Sequence, residues 1–129
     1  MNYLTPEQVL FIHARMIEET GGEHGLRNMG ILLAAVARPQ AIFEGQELYE
    51  NLYLIAGALM DSLIRNHTFL DGNKRTGIAS ASLFLSSNGV VLETTNEEIV
   101  HFTMDCAQSR LSIGEISAWL KEHSLPRGD

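Results

Sequence analysis

A chain of 129 residues accommodates one compact domain that buries roughly 65 to 70% of its unfolded surface, so 1–129 is read as a single domain. With 45% hydrophobic and 19% charged residues and 3 prolines, the composition excludes disordered, collagen-like and low-complexity classes. Nine basic against 16 acidic residues give a net charge of -7, which repels a phosphate backbone, so no direct nucleic-acid binding is expected. The longest apolar runs, Ile31 to Ala37 and Leu52 to Met60, fall short of the roughly 18 to 20 residues that span a bilayer, so no membrane partner is expected. Met1-Asn2-Tyr3-Leu4-Thr5 has no basic stretch leading into a long apolar one, so no secretory signal is expected. A lone Cys106 cannot form an internal disulfide, and the expected compartment is the cytosol.

Thr5-Pro6-Glu7-Gln8 opens a helix with a capping box and a proline at the first position; Val9, Ile12, His13 and Met16 share a face, and Gly21-Gly22 ends it. After a glycine-rich loop, Asn28 to Ala37 reads as a short helix stopped by Arg38-Pro39. Residues 40 to 50 lack a helical period, and Ile42-Phe43 before Glu44-Gly45 suits an exposed turn or hairpin. Asn51 to Asn66 and Lys74 to Asn88 are apolar around most of their circumference, which marks two helices buried by neighbours. Two more helices start at Thr95 with Glu98 and at Ser112 with Glu115, again in capping-box spacing. Gly89 to Leu92 is strand-like, and 124–129 reads as a disordered tail. The expected fold class is all-α with a small β-hairpin.

Between the two buried helices lies His67-Thr68-Phe69-Leu70-Asp71-Gly72-Asn73-Lys74-Arg75. One imidazole, one carboxylate, one amide and two cations are concentrated there, more than a packed core requires. Gly72-Asn73 opening a helix aims free backbone N–H groups at the loop, a geometry that binds phosphates. Lys74 and Arg75 fall in that first turn, where positive charge opposes the macrodipole at a cost of roughly 0.3 to 1 kcal/mol each. A bound phosphate reverses that sign. Arg75 can hold phosphate oxygens bidentately, Lys74 adds a point charge, Asp71 can hold magnesium, and His67 can act as general base toward a hydroxyl. Together they point to phosphoryl or nucleotidyl transfer. A purely structural reading, with His67 and Asp71 as helix caps and the cations as solvated charge, leaves the placement against the dipole unexplained. A P-loop lacks its Lys-Ser/Thr pair, and an EF-hand would need a carboxylate where Ser82 stands.

The segment His67-x-Phe69-x-Asp71-Gly72-Asn73-Lys74-Arg75-Thr76 resembles the signature loop of the Fic/Doc family, and Lys74 in place of a second glycine resembles the Doc (death-on-curing) branch. Ala37-Arg38-Pro39-Gln40, Gly45-x-x-Leu48-Tyr49 and Leu83-Phe84-Leu85-x-x-Asn88-Gly89 are similar to flanking patterns of that branch, so the resemblance covers most of residues 3 to 122. It implies a Fic/Doc-like helical bundle whose central loop holds ATP and Mg2+. His67 would be the base and Asp71 the metal ligand. Gly72 and Asn73 would form part of the phosphate cradle, with Lys74 and Arg75 as clamps. It further implies a toxin of a type II toxin–antitoxin system. Such a toxin transfers the γ-phosphate to a threonine of elongation factor Tu and is controlled by a Phd-like antitoxin. Residues 40 to 47 would form the flap that aligns the target peptide.

The sequence departs from the pattern at two positions. Thr68 replaces the usual proline, which is expected to loosen the loop, and Ile78 replaces a second arginine of the Fic branch, which argues against AMP transfer. AMP transfer and a non-catalytic binding module of the same fold are the competing readings. No self-inhibitory Ser/Thr-x-x-x-Glu-Gly/Asn motif is present. His13 reads as a packed histidine, Cys106 as a small buried hydrophobe and Trp119 as a core anchor.

Overall fold

The computed structural model describes residues 1–128; Asp129, the last residue of the expected tail, lies outside them. Helix α1 (Pro6–Thr20) begins at the Thr5–Gln8 capping box, and α2 (Met29–Ala37) begins at Asn28, whose side chain accepts from Ile31 N–H. The stop expected at Arg38-Pro39 is a tightening rather than a break, since Arg38–Gln40 continue as a 3-10 turn with Pro39 at its start. β1 (Ile42–Phe43) pairs antiparallel with β2 (Gln46–Glu47) through Glu44-Gly45, both at positive φ, the hairpin expected there.

Helix α3 (Leu52–Arg65) is the axis of the molecule, with Ile55 through Ile64 all buried. It packs against α4 (Asn73–Ser87), α5 (Asn96–Ala107) and α6 (Ile113–Glu122), and α1 packs on α4. Gly77 brings α3 and α4 together: a Cβ there would lie 2.6 Å from Ile64 Cγ1. Phe69, Phe84, Leu32, Met60, Leu63 and Ile116 fill the centre. No helix among the described residues is long and apolar enough to cross a membrane. The architecture is thus helical with two small two-stranded sheets, as expected of the fold class.

The second sheet corrects one expectation. Within the expected tail, residues Ser124–Pro126 are ordered as β4, which pairs antiparallel with β3 (Val90–Leu92) in the register Val91 opposite Leu125. His123 O accepts from Glu93 N–H at 2.6 Å and Gly89 O from Arg127 N–H at 2.8 Å. The strand following Gly89 has an open edge, and residues after α6 return to satisfy it, a pairing between distant segments that no local pattern announces. Beside it, Asn88 exchanges hydrogen bonds with the backbone of Asn2, and Asn2 Nδ2 donates to Ser87 O.

Candidate active site

Helix α3 ends at Asn66, after which His67 adopts φ +47, a left-handed conformation that a non-glycine residue reaches only when its surroundings hold it there. A glycine-rich stretch supplies that hold. Residues 22 to 27 run antiparallel to the loop, with Glu23 N–H donating to Asp71 Oδ2 (3.1 Å), Leu70 N–H to Gly25 O (3.0 Å) and Arg27 N–H to Thr68 O (3.0 Å). The glycines there are matched to the close approach: a Cβ at Gly22 would lie 2.8 Å from Asp71 Oδ2, and one at Gly25 would lie 2.7 Å from Leu70 Cδ1. This splint was not legible beyond its glycine content.

Thr68 is fully buried, with its hydroxyl reaching Leu63 O at 3.4 Å. Between that contact and Arg27 the residue is pinned on both sides, so the loosening expected from the missing proline is offset by the splint. Phe69 anchors the loop in the core, and Asn73 folds back on it: Oδ1 accepts from Phe69 N–H and Nδ2 donates to Phe69 O, both at 2.9 Å. The Asn73 side chain therefore shapes the loop, and what this residue offers to the cleft is its backbone N–H.

From α1, His13 Nε2 lies 2.8 Å from Asp71 O, and because a carbonyl only accepts, Nε2 carries the proton. Burial is the main influence on this imidazole and lowers its pKa from the ordinary 6.5. His13 is thus packed, as expected, but it also supports the loop. Asp71 is exposed; the N–H groups of Glu23 and Gly72 hold its carboxyl below the usual carboxylate range while leaving lone pairs free.

Gly72 takes φ +76, where a Cβ would approach Ile17 Cδ1 at 3.0 Å, and it gives α4 no side-chain cap. The first N–H groups of α4 consequently point outward without an intrahelical partner. Lys74 and Arg75 are exposed and form no ion pair among the described residues. His67, Asp71, Gly72, Asn73, Lys74 and Arg75, all six residues singled out in the sequence, line one cleft of about 410 Å³ with Leu70, Ile64 and Ala107. An uncapped helix start, two free cations and one exposed carboxylate form a donor set that fits a polyphosphate carrying a hard divalent cation.

A family model described as the Fic/DOC family matches residues 3–85, which include α1 to α3, the whole loop and most of α4. The chain belongs to the Fic/Doc family. Toxin Doc of Mycolicibacterium smegmatis is 54% identical over 72 residues, covering 56% of this chain and 55% of that relative, so the match spans about half of that protein. Protein kinase doc of Escherichia phage P1 is 30% identical over 121 residues, covering 94% of each chain. Outside the family's loop, Cys106 is buried, which pushes its thiol up to about 12 and leaves it inert at neutral pH. Trp119 is stacked between Phe102 and His123, the core anchor expected of it.

Proposed function

We propose that this chain is the toxin of a toxin–antitoxin pair and transfers the γ-phosphate of ATP to a protein hydroxyl. The target in this reading is a threonine of elongation factor Tu, and the outcome is inhibited translation. The observation that carries the reading is the convergence of His67, Asp71, Lys74 and Arg75 on the cleft at the uncapped start of α4. The names of the two relatives, a toxin Doc and a protein kinase doc, support it. Ile78 is buried and places no further cation on α4, which favours γ-phosphate over AMP transfer.

In this mechanism His67 takes the proton of the target hydroxyl as its oxygen forms a bond to the γ-phosphorus, and the bond from that phosphorus to the bridging oxygen breaks to release ADP. Lys74 and Arg75, with the N–H groups of α4, hold the phosphate oxygens in line. Asp71 would hold magnesium, which would supply positive charge against that of the phosphates. The exposed Ile42, Phe43 and Leu48 of the hairpin region supply a surface for the target segment, and a Phd-like antitoxin is the controlling partner.

The test is transfer to elongation factor Tu with magnesium and ATP labelled at either the γ- or the α-phosphate, with His67→Ala as control. Label from γ alone, reduced about 100-fold to 10,000-fold in the variant, is the expected outcome. Label from α alone replaces the reading with AMP transfer, and undiminished transfer by the variant removes His67 as the base.

A further inference from the structure

Arg27 lies outside the motif and lines no wall of the cleft, yet three of its donors meet three consecutive residues at the start of the loop. Its Nε donates to His67 O at 2.7 Å, its Nη2 to Asn66 O at 2.8 Å, and its backbone N–H to Thr68 O at 3.0 Å. The carbonyls of residues 66 and 67 follow the last turn of α3, where helix carbonyls lack intrahelical donors and where the negative end of the helix dipole favours a cation. A planar guanidinium with two adjacent N–H groups suits a pair of neighbouring carbonyls, whereas a lysine offers only a point charge.

Arg27 is itself well fixed. It precedes Asn28, whose side chain caps α2, and it follows Leu26, which forms a bridge with Phe69 across the two segments. The residue at the centre of its three contacts, His67, holds a left-handed backbone that its own side chain does not favour. The exposed imidazole is carried on that backbone, so whatever fixes the two peptide units beside it fixes where the ring stands.

We propose that Arg27 is the positioning residue of His67, clamping the peptides on either side of it so that the imidazole is presented at the cleft in one orientation. The proposal rests on the phosphate-transfer reading above for its consequence in rate, though not for the clamp itself. Arg27 then acts on the transfer step and not on nucleotide binding, which belongs to α4 on the other side of the loop.

The experiment compares the unsubstituted protein with Arg27→Ala by steady-state transfer from labelled ATP and by the carbon chemical shifts of His67, which report its backbone conformation. The expected result is a kcat about 10-fold to 100-fold lower at unchanged KM for ATP, as for a reacting group displaced by about 1 Å. The His67 Cα and Cβ shifts should move away from left-handed values while the melting temperature stays close to that of the parent. Arg27→Lys, which keeps the stem and charge without the fork, gives the same pattern in weaker form and serves should the alanine variant not fold. An unchanged kcat, a loss confined to KM, or unmoved His67 shifts overturns the proposal. Should the unsubstituted protein transfer no label from either phosphate, the functional reading fails, and the His67 shifts still decide the clamp.

Discussion

The ring of His13 lies parallel to that of Phe69, with centroids 3.8 Å apart and planes within 6°, while its Nε2 donates to the carbonyl of Asp71. One side chain from α1 therefore holds both the buried anchor of the loop and the peptide carrying its carboxylate. Burial lowers the pKa of His13, so the folded state binds its proton less readily than the unfolded state does. Stability from this group is fully present above 6.5, the ordinary value, and declines as pH falls from there through the lower folded pKa. Urea midpoints at pH about 7.5 and about 5.5 should differ, and His13→Phe, which keeps a stacked ring but cannot titrate, should reduce the difference. An equal pH dependence in the variant would assign the effect to another group.

Lys74 sits where the α4 dipole disfavours it, and it forms no ion pair among the described residues. Lys74→Glu replaces an unfavourable charge with a favourable one and should stabilise the nucleotide-free protein by about 0.6 to 2 kcal/mol, less the attraction to Asp71 that is lost. The same change should abolish the rise in melting temperature on adding ATP with magnesium. Thermal scans with and without nucleotide check both halves, and loss of stability in the free variant would contradict the dipole argument.

Gly77 is a case where helix propensity and packing oppose each other. Alanine is the better helix former by about 1 kcal/mol, yet its Cβ would meet Ile64 Cγ1 at 2.6 Å and Cδ1 at 2.9 Å. Gly77→Ala should therefore destabilise by about 1 to 3 kcal/mol, and combining it with Ile64→Ala should cost less than the sum of the two single changes. Denaturant unfolding of the four proteins in that cycle is the measurement.

Arg38 donates through Nη1 to Asp61 Oδ2 at 2.9 Å and to Ser62 Oγ at 2.8 Å, and through Nε to Tyr49 Oη at 2.9 Å. Asp61 is buried, and its other cation, Arg65, stands 3.7 Å away on the more exposed side. Arg38→Met should cost about 1 to 3 kcal/mol because it removes the hydrogen-bonded partner of a buried carboxylate and leaves it only the more distant Arg65. Converting Asp61→Asn in that background should recover part of the loss, measured by the shift in urea midpoint.

Local rules served well wherever a contact lay within one turn. Thr5 with Gln8, Thr95 with Glu98 and Ser112 with Glu115 all close the capping boxes that their spacing announces. Glu44-Gly45 turns the hairpin. Arg38 and Tyr49, seen in the sequence only as flanking pattern, meet in one hydrogen bond. What escaped was decided by distant partners. The pairing of residues 22 to 27 with the loop spans the whole of α2 and α3, so glycine content hinted at close approach but not at what approached. Leu125 opposite Val91 was hidden in the same way. At Asn73 the sequence spoke only for the backbone N–H: an amide side chain at a helix start can face a ligand or turn back, and the backbone of Phe69 took it.

Asn2 and Arg127 both bind the backbone at the end of α4, through Ser87 and Gly89, while Lys74 and Arg75 occupy its start. At 1.5 Å per residue, the 15 residues of that helix set the two poles about 22 Å apart. A fluorescent label or surface tether attached beside Asn2 or Arg127 would hang from the pole opposite the cleft. Held at either of these points, the molecule can thus be immobilised with its His67–Arg75 loop facing the solution.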